Sequence, residues 1–236
     1  RRFTVPEGKK SWSVAYPEYN PPLYTALVVK KNARSANNPD GWADPEEYYK
    51  EEECFSTYTR KTIEKNQLGQ PLNPMGRTGL GERGLLGKWG ANFAADPIVT
   101  WMNPKTNTLE MIVIERGDGG GWAIPGGMVE DGDTVSKTLT KELGEEAGVA
   151  LDFSQAKLIY KGYVDDPRNT DNAWMETTVA HRHLTDVEKA AIHLKAGDDA
   201  VKAKWLPLTK ENIDSLYANH AHFVRLAIQK SSLSKN

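Results

Sequence analysis

The sequence has little of several features that mark common classes of protein. It contains a single cysteine, so no disulfide can form within the chain and a reducing compartment is favoured. No apolar run comes near the roughly 20 residues that cross a bilayer, so direct membrane insertion is not expected. The net charge is −2 with no basic run, so nucleic acid is not an expected partner. The chain has no initiator Met or signal-peptide pattern at Arg1, which indicates a processed chain or a piece of a longer one.

The composition is that of an ordinary globular protein, but the chain reads as two regions. Apolar residues make up 39% and charged residues 26% of 236 residues, which allows one large domain or two small ones with a real core. Residues 1–95 are rich in Pro, Gly and Asn and have short apolar runs. From Asp96 onward the pattern of apolar residues becomes regular, so the two regions are expected to differ in structure.

The regular region alternates strand-like and helix-like segments. The predicted strands are PIVTWM, LEMIVIE, GWAIPGG, AKLIYKGYV, AWMETTVAHRH and VKAKWLPL. Helices are predicted over residues 134–147 and over Asn212–Gln229. Because strands and helices mix without strict βαβ alternation, the order favours an α+β fold or an α/β/α sandwich around a mixed sheet.

The first predicted helix lies in the segment GGMVEDGDTVSKTLTKELGEEAGV, residues 126–149, and carries two stripes. The apolar stripe, which should face the core, consists of Val135, Leu139, Leu143 and Ala147. The acidic stripe consists of Glu142, Glu145 and Glu146, centred roughly 90° from the first. A helix that only solvates itself would place its acids opposite the core. Carboxylates beside a core need protons or a metal, and hard oxygen ligands favour Mg²⁺, with Mn²⁺ as the other choice.

Three glycines support a site at this helix. Gly126 and Gly127 allow a sharp turn with an exposed carbonyl, and the following helix N-terminus favours anions. Gly144 lies inside the helix, where glycine costs about 1 kcal/mol relative to alanine, so we expect another group to approach the backbone there. A metal cluster beside an anion-binding turn is typical of a site that hydrolyses phosphate anhydrides.

This segment resembles the Nudix box, the signature of a hydrolase superfamily. Gly127, five residues, Asp133, seven residues and then KELGEEAGV follow the spacing of the box. The family pattern has Glu where this chain has Asp133, and Arg where it has Lys141. Asp133 also fits an ordinary helix N-cap. Lys141 keeps the charge but lacks the planar fork that would orient a metal-binding glutamate, which bears on the rate more than on the chemistry.

Longer blocks, such as YKGYVDDPRNTDNAWMET and NPMGRTGLGERGLLGKWG, resemble a narrower group. They are similar to the mitochondrial type of ADP-ribose pyrophosphatase and to the homologous C-terminal domain of the ADP-ribose-gated melastatin TRP cation channel. The resemblance implies a Nudix sandwich over residues 96–236, and a smaller N-terminal α+β domain over residues 1–95 that contributes to the ligand cleft. It also implies Mg²⁺-dependent cleavage of ADP-ribose to AMP and ribose 5-phosphate.

The resemblance leaves the biological setting open between two classes. One is a mitochondrial or cytosolic soluble enzyme. The other is a cytoplasmic channel domain, with the rest of a tetrameric cation channel as partner, that either cleaves ADP-ribose or only senses it. The retained acids Glu142, Glu145 and Glu146 favour an active enzyme. A third alternative, action on another nucleoside diphosphate derivative, is disfavoured by the DDPRNTDNAW block.

The resemblance also implies roles at the reacting phosphates. Glu142 and Glu146 would be the principal metal ligands, Glu145 would bind directly or through water, and the carbonyl of Gly126 would add a ligand. The general base varies in position within this superfamily. Asp199 is our candidate, with Asp198 next, although the pair reads equally well as a turn before a strand. Water activated by metal alone would make a separate base unnecessary.

A second set of residues is predicted to bind the nucleotide. By comparison with ADP-ribose-binding relatives, the set consists of Asp96, Asp166, Arg168, Tyr217 and Asn219. Arg77 and Arg83 are within a segment that could reach phosphate, but packing of the seam between the two predicted domains is at least as good an interpretation. Trp122 could stack on a base or belong to the core. The motif HRH at residues 181–183 is interpreted as a solvated face, since two His alone make a poor metal site.

Overall fold

The structure is a computed structural model that describes residues 1–50, 57–59, 61–195 and 200–231. The chain forms two compact units. The first consists of Arg1–Asn92 and Gly162–Glu176, and the second consists of Phe93–Lys161 and Thr177–Asn236. The predicted domain bounds, 1–95 and 96–236, refer to sequence domains and stay a prediction.

The first unit contains little regular structure, as its many turn residues indicate. Strand β1 (Leu23–Thr25) pairs in parallel with β2 (Gly81–Gly84), and helix α1 is Leu27–Lys31. Single 3₁₀ turns occur at Glu7–Lys9 and Tyr48–Lys50. With so few strands and helices, buried polar side chains have to satisfy much of the backbone.

Asp171 shows how such a side chain organises the first unit. Its carboxylate accepts hydrogen bonds from the Tyr19 hydroxyl at 2.6 Å, and from the backbone N and the hydroxyl of Thr78, both at 2.7 Å. Asp171 is 4% exposed, and burial raises the pKa of its carboxyl. The sequence segment that contains it, residues 162–176, thus supports the fold of residues 1–92.

The larger sheet contains seven strands among the described residues. They are β3 (Gly90–Asn103), β4 (Thr108–Arg116), β5 (Trp122–Ala123), β6 (Gly127–Met128), β7 (Lys157–Tyr163), β8 (Ala173–His183) and β9 (Ala200–Pro207). The main order is β5-β4-β3-β8-β7, with β6 on β3 and β9 on β4. Five of the six segments each form a strand, whereas GWAIPGG contributes β5 and the first residue of β6. The α+β class with a mixed sheet is confirmed.

Helix α2 (Val135–Ala147) covers one face of this sheet in the second unit. Leu139, Leu143 and Ala147 are at most 2% exposed and belong to one core cluster with strand residues such as Ile112 and Ile114. The predicted apolar stripe is therefore confirmed. Within the described residues, no helix combines the length and the apolar character needed to cross a membrane.

The predicted closing helix over Asn212–Gln229 is wrong as a single element. After the short helix α3 (Asp186–Ala190) and strand β9, the chain forms α4 (Lys210–Asp214) and α5 (His220–Lys230). Between them Ala218 takes a left-handed conformation with φ 48°, and the Tyr217 backbone N bonds to the Trp122 carbonyl at 2.9 Å. A tertiary hydrogen bond thus replaces a helical one and interrupts the helix.

Candidate active site

The local sequence of α2 explains how its glutamates are positioned. The N-cap is Thr134, whose hydroxyl accepts from the Lys137 backbone N at 3.1 Å. Asp133 instead pairs with the Lys137 ammonium, so its interpretation as the N-cap is wrong. At the other end Gly148 is left-handed, with φ 69°, and its N bonds to the Gly144 carbonyl at 3.0 Å.

Carboxylates occupy the space beside the glycine pair. A Cβ built on Gly127 would lie 2.4 Å from Cδ of Glu142, and a Cβ built on Gly126 would lie 2.2 Å from Oδ1 of Asp96. Gly127 in β6 pairs with Ala95 in β3, next to Asp96. The glycines are required because any side chain at these positions would displace a carboxylate. The structure therefore brings Asp96, Gly126 and Glu142 together.

The Glu146 side chain reaches the same turn, where it bonds to the backbone of Gly126. Its Oε2 accepts a hydrogen bond from the Gly126 N at 3.0 Å. Asp96 is held from the other side, where its Oδ2 accepts from the Thr177 hydroxyl at 2.5 Å. Two strands and one helix of the second unit thus direct three carboxylates toward one turn.

The electrostatics of the group differ from those of a solvated helix face. Burial, which is the largest cause, and the charges of Glu145, Glu130 and Asp96 together raise the pKa of Glu142 to about 6, against the opposing charge of Lys141. The Lys141 ammonium bonds to Glu130 at 3.1 Å rather than to Glu142. The charge of Lys141 therefore does not cancel the effect of burial and of the acidic neighbours on Glu142.

Two expectations about α2 are modified by the structure. Glu145 is exposed, so it is the outermost member of the acidic stripe. A Cβ on Gly144 would meet only the Val149 carbonyl, at an ordinary 3.8 Å. The expectation that another group approaches the backbone at Gly144 is therefore wrong.

The fit of a metal ion can be judged from these donors. In the part of the chain that the structure describes, no group of three or more His, Cys, Asp or Glu side chains is already arranged around a metal position. Glu142 and Glu146 nevertheless supply hard oxygen donors on one helix face, and Glu142 is destabilised as an anion by its acidic neighbours. These residues fit a hard divalent cation, which would neutralise that charge.

An aromatic and cationic group lies on the neighbouring strands. The Arg116 guanidinium covers the Tyr217 ring at 4.0 Å from the centroid, and the Lys204 ammonium covers Trp122 at 3.8 Å. His220 Nδ1 accepts from the Ile124 backbone N at 3.0 Å. One face of Trp122 is therefore already covered by a cation.

Asn219, one of the residues predicted to bind the nucleotide, lies at the start of the helix that follows this group. The Asn219 carbonyl accepts from the His222 N at 3.1 Å, at the start of α5. Arg116 and His220 were not predicted. The only signal for Arg116 was its place before Asp118 and three successive glycines, at the end of a strand.

In the first unit, Asp166 and Arg168 bind each other. The Arg168 Nε and Nη2 donate to the two carboxylate oxygens of Asp166, each at 2.9 Å, and its backbone N adds a bond of 2.8 Å. The pair holds the guanidinium in one orientation. Their predicted contacts with ribose and phosphate stay a prediction.

Arg77 and Arg83 both have structural surroundings within the first unit. Arg77 donates to the carbonyls of Lys9, Ser11 and Val14 at 2.7 to 3.0 Å, and its phosphate contact stays a prediction. Arg83 is fully buried and donates to the Asp44 carbonyl at 2.6 Å, so it packs inside the first unit.

The candidate general base, Asp199, lies outside the described residues, as do Asp198 and Cys54. The interpretation of HRH as a solvated face is wrong for His181. That residue is 4% exposed, and its Nε2 lies 2.7 Å from the Thr100 hydroxyl, which His183 Nδ1 also approaches at 2.9 Å. Thr100, which is 1% exposed, lies on β3, the strand next to β8 in the sheet.

Comparison with known proteins agrees with this architecture. Residues 5–90 match the family described as NUDT9-like, N-terminal domain, and residues 95–227 match the NUDIX domain. The mitochondrial ADP-ribose pyrophosphatase of Rattus norvegicus is 39% identical over 97% of this chain and 74% of its own length. A transient receptor potential cation channel, subfamily M member-like 2 of Nematostella vectensis, is 40% identical over 93% of this chain but only 16% of its own length.

A solved structure shows the same fold at lower identity. The MutT/nudix family protein from Enterococcus faecalis superposes with a TM-score of 0.51 and 19% identity, covering 60% of this chain and 62% of that one. The carboxylates on the Gly126–Gly127 turn lie inside the matched NUDIX region. The chain belongs to the Nudix hydrolase superfamily, in the group that carries a NUDT9-like domain before the NUDIX domain.

Proposed function

We propose that this chain hydrolyses the diphosphate of ADP-ribose to AMP and ribose 5-phosphate with Mg²⁺. The observation that carries the proposal is the gathering of Asp96, Glu142 and Glu146 on the Gly126–Gly127 turn, with the pKa of Glu142 raised to about 6. Such a concentration of negative charge is typical of a site that operates with a bound cation. The choice of ADP-ribose is supported by the 39% identity to the rat ADP-ribose pyrophosphatase.

In this proposal, the residues of the turn and of α2 have separate roles. Glu142 and Glu146 would hold the metal, with the Gly126 carbonyl, and with Glu145 directly or through water. When bound, Mg²⁺ supplies neutralisation of the diphosphate and activation of water. Asp96 keeps its position through the Thr177 hydroxyl, which fixes one negative charge beside the turn.

Other residues of the proposal orient the substrate. Tyr217 is placed by its backbone bond to Trp122 and by the overlying Arg116, which fixes the ring plane. With Asn219, it would contact the ligand as the resemblance implies. Asp166 and Arg168 would contribute a ribose acceptor and a pre-oriented cation, and Arg77 is the least supported of the predicted contacts. Asp199 remains the proposed base.

The test is to incubate the purified chain with ADP-ribose and Mg²⁺ and to follow AMP and ribose 5-phosphate by chromatography. We expect Glu146→Gln and Glu142→Gln each to lower turnover at least about a hundredfold, because each removes a charged ligand. Glu211→Gln, at an exposed helix position, is the matched control and should be unchanged. AMP formation that both site variants retain would contradict the assignment.

Metal removal tests the cofactor separately. A chelator should abolish turnover, and adding Mg²⁺ should restore it, with Mn²⁺ as the second ion to compare. Turnover that persists in excess chelator would exclude a metal-dependent reaction. Because metal that binds only the folded state stabilises it, the same titration should also raise the unfolding temperature.

A second candidate function is an ADP-ribose sensor domain of a cation channel. It is favoured by the 40% identity to the Nematostella vectensis channel over 93% of this chain. In that case ADP-ribose should bind in calorimetry while no AMP forms under the conditions above. Localisation distinguishes the same two candidates: a mitochondrial enzyme and a cytoplasmic channel domain would separate on fractionation of cells that express the natural protein.

A further inference from the structure

Arg116 stands at the end of β4, beside the carboxylates of the second unit. Its guanidinium carbon lies over the Tyr217 ring, 4.0 Å from the centroid. The register of β4 and β5 pairs Glu115 with Trp122, so Arg116 lies beside the strand that leads into the Gly126–Gly127 turn. The hydrogen bond to Asp118 is the main reason that the pKa of Arg116 is raised, and the negative charge of Glu146 adds to it. Arg116 thus places a positive charge in the same unit as the acidic residues Asp96, Glu142 and Glu146.

The loop after β4 holds this guanidinium in one orientation. Arg116 donates from Nε and Nη2 to the two carboxylate oxygens of Asp118, at 3.0 and 2.6 Å. Asp118 also accepts from the Gly120 N at 3.0 Å, and the Arg116 N bonds to the Gly121 carbonyl at 2.9 Å. The Arg116 and Gly120 hydrogen bonds lower the pKa of Asp118 to about 2.

This arrangement uses one edge of the guanidinium and presents the other. An arginine has five N–H donors in a planar fork, and the Asp118 pair engages the Nε and Nη2 edge. The Nη1 group is on the far edge, and the side chain remains 34% exposed. A guanidinium backed by an aromatic ring and clamped along one edge is pre-organised to bind an oxyanion with the other.

We infer that Arg116 is a substrate-binding residue that contacts a phosphate oxygen of the nucleoside diphosphate, an inference that rests on the proposed function. Glu142, Glu145, Glu146 and Asp96 together would repel a diphosphate, and any positive charge beside them would lower that repulsion. Arg116 adds a fixed positive charge from the protein at the edge of the same site. Nothing in its role requires it to take part in proton transfer.

The alternative is that Arg116 only closes the loop and packs on Tyr217. The two roles differ in what they change. A structural role predicts loss of thermal stability and an equal loss for every ligand. A phosphate contact predicts weaker binding that depends on ionic strength, with the fold intact.

The experiment measures kcat and KM for ADP-ribose in wild-type protein and in Arg116→Gln, Arg116→Lys and Lys202→Gln, each at low and at physiological salt. Arg116→Gln keeps a planar polar group but removes the charge, and we expect KM to rise about ten- to a hundredfold with a smaller change in kcat. Arg116→Lys should recover part of the loss. Lys202→Gln removes an exposed cation on β9 and should leave both constants unchanged.

The salt dependence decides between the roles. Wild-type KM should rise with salt, and this slope should be shallower in Arg116→Gln but unchanged in Lys202→Gln. An unchanged KM and slope in Arg116→Gln, or a lower melting temperature with equal losses in Arg116→Lys, would overturn the inference while leaving the proposed hydrolysis intact.

The same variants also test the inference if the protein does not hydrolyse ADP-ribose. If wild-type protein binds ADP-ribose without cleaving it, calorimetric Kd values replace KM, and the same fold-changes and salt slopes are expected. If wild-type protein neither binds nor cleaves ADP-ribose, the proposed function and this inference both fall.

Discussion

Charged side chains are arranged in opposite ways in the two compact units. In the first unit, Arg168 is matched with Asp166, and Arg83 is buried among carbonyl acceptors. In the second unit, Glu142 and Glu146 are drawn to the same glycine turn as Asp96, and like charges raise the pKa of Glu142.

The difference separates charges that are paired with an opposite charge or an acceptor from like charges that are gathered at one turn. A paired buried charge lowers the free energy of the folded state only when its partners are in place. An unbalanced group of like charges raises it, and is tolerated where a ligand or a cation completes the group. The same contrast explains why glycines line the second group, since no side chain could share that space.

The largest effect is expected from a methyl group placed among the carboxylates of the second unit. Gly127→Ala puts a Cβ at 2.4 Å from the Glu142 carboxylate, the mobile end of a side chain, so Glu142 should move while the fold survives. We expect hydrolysis of ADP-ribose to fall about a hundredfold, as for a misplaced catalytic group. Steady-state kinetics and a melting curve check this.

The matched control is Gly144→Ala on the same helix. Its Cβ would meet only the Val149 carbonyl at 3.8 Å, so activity should be retained and stability should rise by about 1 kcal/mol. Equal activity in the two alanine variants would show that the Gly127 position does not control Glu142.

Within the second unit, His181 is a buried titratable group that folding keeps uncharged, so its effect on stability should depend on pH. Burial lowers the pKa of His181 to about 4, against 6.5 in its ordinary state. Between these values the unfolded chain binds more protons, so stability falls as pH drops from 6.5 toward 4 and is unaffected by this group above 6.5. At pH 5 the loss relative to pH 7 should be about 2 kcal/mol.

Denaturant unfolding at the two pH values measures that loss. His181→Gln should remove about 2 kcal/mol of the difference between pH 7 and pH 5, because Gln does not titrate. His193→Gln, at an exposed position, is the control and should behave as wild type. An unaltered pH dependence in His181→Gln would mean that His181 is not the titrating group.

The smallest expected effects are opposite changes in stability when one charge is removed from each unit, measured in metal-free protein at pH 7. Glu142→Gln removes a like charge and should stabilise the protein by about 1 kcal/mol, after allowing for partial exposure. Asp166→Asn removes half of an ion pair and should destabilise it by about 1 kcal/mol. Denaturant unfolding of both variants is the measurement, and changes of the same sign in both would contradict the contrast.

Local patterns predicted much of the second unit but failed where distant groups intervene. The alternating and apolar runs predicted the strands, and the four-residue spacing predicted the buried face of α2. The region from Asn212 to Gln229 looks helical throughout. It is interrupted because the Tyr217 N is bonded to Trp122, a residue about 95 positions away, and no local pattern contains that bond.

The candidate site divides in the same way. The acids of α2 and the glycine pair were visible in the sequence because their spacing is local. Arg116 was missed because its significance depends on its contact with Tyr217 and on the charge of Glu146, two residues that are remote in the chain. His181 was misjudged because alternation alone does not tell whether the face of a strand is covered by other parts of the chain.

The sequence by itself determined the Nudix membership, the α+β class and the identity of the acids on α2, since helical and strand periodicities follow from local geometry. Only the tertiary structure decided which groups share a space: Asp96 beside Gly126, Glu142 against Gly127 and Arg116 on Tyr217. The reason is physical. Burial and Coulomb interaction depend on distance in space, so the charge state and orientation of a side chain are set by whatever folding places next to it.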